Sequence, residues 1–159
     1  MNRLIRGLQL NLANSNILAN SNSLANGNSL ANSNTILKAY NSFDWKSYIK
    51  FDKDNYKKNL IYRNMDFEIF LVCWLPLQKT KIHNHSENGC LIRILEGEMN
   101  EIIYEPKNKE IITTNNMYQN DIQYIDDKIG VHKMINTSDK NCISLHIYSP
   151  PNFKATFFD

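Results

Sequence analysis

Apolar side chains crowd the chain beyond residue 36, where they recur in short runs broken by turn residues. Residues 67–75, Phe67-Glu68-Ile69-Phe70-Leu71-Val72-Cys73-Trp74-Leu75, are apolar with one interruption and rich in β-branched and aromatic types, which predicts a buried strand. Residues 90–95 and 99–104 predict two more strands around Glu96-Gly97-Glu98. Lys107-Asn108-Lys109 predicts a turn, followed by strands near residues 110–113, 122–125, 131–135 and 142–148. Many short strands at regular spacing, with almost no helical pattern after Phe51, indicate an all-β small barrel or jelly roll. Ahead of it, residues 39–51 place Tyr40, Phe43, Trp45 and Tyr48 where a short helix can pack them, with Asp44 a candidate cap.

Residues 12–35 follow another rule. Leu12-Ala13-Asn14-Ser15-Asn16-Ile17 opens a hexapeptide repeat whose later copies begin at Leu18, Leu24 and Leu30. On a helix, a six-residue step turns each leucine by about 240°, so the leucines never line one face. Stacked as a parallel β-helix, four copies are too few to bury a core. Asparagine and serine dominate, so a disordered arm is expected over residues 1–35, and one globular domain over residues 36–159.

Length and charge narrow the function. The 159 residues suit one domain, expected as a monomer. A formal charge of +2, from 18 bases and 16 acids, gives no basic stripe, so nucleic acid is not an expected partner. The apolar start is interrupted by Gln9, Asn11 and Asn14 before it reaches signal or membrane-spanning length. Three cysteines with no CxxC pair argue for a reducing compartment, and a cytoplasmic location is expected. The lack of acidic residues before Asp44 is a weaker signal, toward an organellar transit segment.

All four histidines, His83, His85, His132 and His146, lie in the strand-rich part. Separated by one residue, His83 and His85 would point to one face of a strand and share a metal, with His132 arriving from a distant strand as a third ligand. Glu87 is the nearest carboxylate in sequence. Three neutral imidazoles leave a metal its full charge and open positions, which suits anionic soft ligands such as thiolates; zinc with a bound water also fits the ligand type.

These residues carry a family resemblance. His83-Asn84-His85 followed by Cys90 and Gly97 resembles the first cupin motif, with cysteine where glutamate is usual, and Gly130-Val131-His132-Lys133-Met134-Ile135-Asn136 resembles the second. Together with Ser144-Leu145-His146-Ile147-Tyr148-Ser149-Pro150-Pro151 they resemble cysteine dioxygenase, over a stretch from about Ala39 to Asp159 that includes Phe51-Asp52, Tyr56, Asn59-Leu60 and Cys73-Trp74.

The resemblance implies a cupin barrel holding iron(II) on His83, His85 and His132, with cysteine and O2 as substrates and cysteine sulfinic acid as product. It further implies a protein-derived thioether between Cys90 and Tyr148, with His146 hydrogen-bonded to the tyrosine hydroxyl and Ser144 supporting it. Lys58 stands where the family has an arginine for the substrate carboxylate; Tyr56 is a second candidate for that carboxylate, and Trp74 a pocket wall. An ammonium cannot form the bidentate fork of a guanidinium, so another small thiol, a mercapto acid or an aminothiol, is an alternative substrate. A catalytically silent metal-binding cupin is the alternative from another class. Read without the motif, Tyr148 is a packed aromatic and Cys90 and Cys73 are small buried hydrophobes.

Overall fold

The structure is a computed structural model that describes residues 5–7, 9 and 44–158. The hexapeptide repeat and residues 39–43 of the expected helix lie outside the described residues. Within them, residues 44–158 form eight strands and a single 3-10 turn, Lys46–Tyr48. Asp44 does not cap that turn: Trp45 stands at its N-cap without a side-chain bond, while Ser47 Oγ reaches the Asp44 carbonyl at 3.5 Å.

Five strands, β1 (Lys57–Arg63), β2 (Glu68–Trp74), β3 (Cys90–Glu96), β6 (Ile122–Ile125) and β8 (Cys142–Tyr148), make a sheet of order β1-β2-β8-β3-β6. A second sheet, of order β5-β4-β7, joins β4 (Glu98–Tyr104), β5 (Ile111–Tyr118) and β7 (Val131–Ile135). Every named pairing is antiparallel. The architecture is the small β-barrel expected from the spacing of the apolar runs.

The large sheet is covered on both faces. Val72, Trp74, Cys90, Ile92, Ile94 and Cys142 turn toward Met99, Ile103, Met117 and Met134 of the small sheet. Alternate residues Ile69, Leu71, Cys73, Leu91, Leu145 and Ile147 form a second cluster, against which Trp45, Tyr48, Ile49 and Ile5 pack. Side chains alternate along a strand, so a strand buried on both sides reads as a continuous apolar run, and this is why residues 67–75 lack polar alternation.

Three elements depart from expectation. β1 was not expected, because its residues are half exposed and its polar positions hide the period. β5 runs to Tyr118, well past the expected end at residue 113. His83 and His85 lie on an extended segment fixed by isolated bridges, His83 to His132 and His83 to Phe157, and not within a ladder strand.

Candidate metal centre

His83 and His132 face each other through a reciprocal backbone pair, each amide donating to the other's carbonyl at 3.0 Å. That pairing brings their rings together, with Nε2 atoms 3.2 Å apart. His85 completes the group, and the three ligand atoms lie within 4.8 Å of one another. His83 is partly buried and the other two are buried.

Each ring's second nitrogen is already committed. His83 Nδ1 donates to the Lys81 carbonyl at 2.9 Å, His85 Nδ1 lies 3.1 Å from Asp127 Oδ1, and His132 Nδ1 lies 2.8 Å from Glu101 Oε1. With Nδ1 carrying the hydrogen, every Nε2 presents a bare lone pair. His85 Nε2 is buried without a hydrogen-bond partner. Facing lone pairs repel, whereas a cation with bonds of about 2.1 Å can bridge them, so the residues present fit a metal. Burial lowers the His83 pKa to about 4 and pushes that of His132 well below the usual range, so both rings are neutral and ready to ligate.

Glu101 and Asp127 were missed at the sequence level. Glu101 lies between Met99 and Ile103 at inward positions of β4, and a carboxylate on the apolar face of a strand was the available signal. Asp127 also accepts the His85 backbone amide at 2.7 Å. Glu87 is exposed and does not join the histidine group.

A cavity of about 220 Å³ opens beside His83. Tyr56, Lys58, Trp74, His146 and Tyr148 line it, and the C-terminal segment adds Phe153, Ala155 and Phe157. Tyr56 stacks on Trp74 with ring centroids 4.6 Å apart. The Lys58 ammonium lies 4.5 Å from the Phe70 ring centroid and 4.3 Å from that of Tyr148, and burial lowers its pKa.

Ser144, His146 and Tyr148 share the inner face of β8, and β3 sets Cys90 directly opposite Tyr148. Trp74 Nε1 donates to Ser144 Oγ at 2.9 Å, which leaves the hydroxyl hydrogen for His146 Nε2, also at 2.9 Å. His146 therefore carries its hydrogen on Nδ1, 3.3 Å from the Tyr148 hydroxyl, and burial followed by the Lys58 charge keeps the ring neutral. Burial pushes the Cys90 thiol up to about 12 and the Tyr148 phenol well above its ordinary value.

A model of the family cysteine dioxygenase type I matches residues 22–159. This chain belongs to that family. Cysteine dioxygenase type 1 from Rattus norvegicus is 33% identical over 133 residues, covering 78% of this chain, and the chain spans 66% of that relative's length. Solved structures share the cupin fold at lower identity. A Klebsiella pneumoniae protein with a double-stranded β-helix domain aligns over 74% of this chain and 96% of its own, at TM-score 0.61 and 15% identity. An RmlC-like cupin from Desulfovibrio desulfuricans aligns over 67% and 94%, at TM-score 0.50 and 18% identity. Among the described residues of this cysteine dioxygenase family member, no helix is long and apolar enough to cross a membrane.

Proposed function

We propose that this chain is an iron(II)-dependent dioxygenase of small thiols, taking L-cysteine to cysteine sulfinic acid with both atoms of O2 passing to sulfur. The observation that best supports the reading is the adjacency of two groups around one cavity. One is the histidine triad with its bare Nε2 atoms, and the other is the row Cys90, Ser144, His146 and Tyr148. Held by His83, His85 and His132, iron(II) would supply a redox-active cation with open coordination positions.

The chain's own residues bind and orient. Among the described residues lining the cavity Lys58 is the one lysine or arginine, and it receives the substrate carboxylate. Tyr56 shares that carboxylate, and Trp74 walls the pocket behind it while holding Ser144. The hydroxyl of Tyr148 accepts from His146 Nδ1, which leaves its own hydrogen free to turn toward Cys90, its partner across the strands. Joining Cys90 Sγ to the Tyr148 ring, with loss of two hydrogen atoms to oxygen, would free that hydroxyl hydrogen for a donor role in the cavity. The protein acts in the cytoplasm, with residues 1–35 an appendage to the catalytic domain.

Lys58 favours a second reading in which another small thiol, a mercapto acid or an aminothiol, is the better substrate, since an ammonium makes one charge-assisted bond where a guanidinium makes two. Oxygen uptake by iron-loaded protein against cysteine, cysteamine and a mercapto acid tests both. Uptake with cysteine supports the first reading and uptake confined to another thiol supports the second. No uptake with any thiol, after iron loading verified by elemental analysis, would sink both. His132→Ala should abolish iron retention, because two imidazoles hold a labile ion poorly.

A further inference from the structure

We propose that Glu101 is a positioning residue of the metal centre, fixing the His132 ring from behind and compensating the charge of the ion that the ring carries. The inference rests on the reading of the histidine triad as metal ligands. Glu101 is fully buried at 0% exposure between Met99 and Ile103, each 2% exposed. A carboxylate in such surroundings is costly unless hydrogen-bonded and matched by positive charge. Hydrogen bonds it has: Asn115 Nδ2 donates to Oε2 at 3.0 Å and His132 Nδ1 to Oε1 at 2.8 Å. Among the described residues no lysine or arginine pairs with it. The missing positive charge is supplied when His132 bears a metal on Nε2, since the cation polarises the Nδ1–H that Glu101 accepts.

Strand register makes the arrangement exact in direction. β4 pairs with β7 so that Ile103 opposes His132 and Glu101 opposes Met134, which sets Glu101 one diagonal step from the imidazole on the same face. β5 sets Asn115 directly opposite Glu101 on the other side. A row therefore runs Asn115, Glu101, His132 across the small sheet toward the centre. The other two ligands are held less firmly. Asp127, behind His85, has a side chain 49% exposed, and His83 leans on a neutral carbonyl. Of the three holding groups, Glu101 alone is both acidic and fully buried.

The test uses the full chain, stripped of metal, with cobalt(II) as the probe in chelator competition. Glu101→Gln should weaken cobalt affinity about 10- to 100-fold and shrink the rise in Tm that the metal produces. Asn115→Ala, which leaves the carboxylate against His132, should keep affinity within about threefold. A merely structural Glu101 would lower Tm equally with and without metal and leave affinity unchanged, and that result overturns the proposal. Should Glu101→Gln fail to fold, Glu101→Asp, whose carboxylate falls short of the ring, is measured in its place, and affinity equal to the parent protein overturns the proposal equally. If the parent protein itself takes up no cobalt or iron(II), the metal reading fails and this inference with it; if the parent binds and the variants bind alike, only this inference falls.

Discussion

Lys58 concentrates the question of substrate into one side chain. Its ammonium hovers over two aromatic faces, Phe70 and Tyr148, and so is held at the cavity by cation–π attraction before any substrate arrives. A carboxylate entering the cavity gains one charge-assisted bond from it, and the second bond a guanidinium would make is worth on the order of 1–2 kcal/mol. Lys58→Arg should accordingly lower KM for cysteine by roughly 5- to 30-fold, while Lys58→Ala should narrow the difference in kcat/KM between cysteine and cysteamine, which lacks the carboxylate. An unchanged ratio in Lys58→Ala would remove Lys58 from substrate binding and leave Tyr56. At the same scale, Cys90 and Tyr148 stand opposite each other across β3 and β8. Turnover with substrate and oxygen should convert them to one linked peptide, lighter by two hydrogen atoms than its parts; peptide mass mapping that finds only free Cys90 in fully active protein would rule the link out as a requirement.

Between residue and fold, a few turn positions decide whether the strands meet in register. Gly97 closes the turn from β3 to β4 at φ +81°, and a Cβ there would lie 2.6 Å from the Asn141 carbonyl oxygen. Gly97→Ala must therefore strain the backbone and push a main-chain atom, at a cost of about 1–3 kcal/mol. Urea denaturation should show a lower midpoint with an unchanged slope, and an unchanged midpoint would mean that the turn has another conformation. This turn was legible because Glu-Gly-Glu interrupts two apolar runs, and β6, β7 and β8 were legible at their observed bounds for the same reason. What stayed hidden has equally physical causes. β1 carries polar residues on an edge that is half exposed, so neither period shows. The segment bearing His83 is ordered by contacts with β7 and with Phe157, which are distant in sequence and invisible to a local pattern. The histidine pair could be seen from spacing alone, whereas Glu101 and Asp127 become significant only when register brings them to the rings.

Across the whole molecule, the barrel holds several histidines in a neutral form that it must defend against acid. Burial lowers His83 from 6.5 to about 4, and it pushes His132 and His146 well down in the same direction. A histidine with a depressed folded pKa is protonated first in the unfolded chain, so falling pH pulls the equilibrium toward unfolding. For His83 the loss begins near pH 6.5 and stops accumulating near pH 4, because below that both states hold the proton. Within such a window each histidine contributes a slope of about 1.4 kcal/mol per pH unit. Glu101 works in the opposite sense, since burial raises its carboxyl and the folded state takes up that proton before the unfolded chain does. Three lowered histidines against one raised carboxyl leave a net loss on acidification, and ordinary carboxylates titrate too low to produce it between pH 6.5 and 5. Urea unfolding of the metal-free protein should therefore show stability falling steadily over that interval. His83→Asn, which removes one titrating ring at a partly buried position, should flatten the slope by about one proton. Bound metal should raise stability across the interval and leave the fall in place, because a ring that ligates is barred from the proton that the unfolded chain still takes up. Stability that stays flat from pH 7 to 5 in the metal-free protein would mean that the rings are solvated, and that the barrel does not hold them in the neutral, metal-ready form.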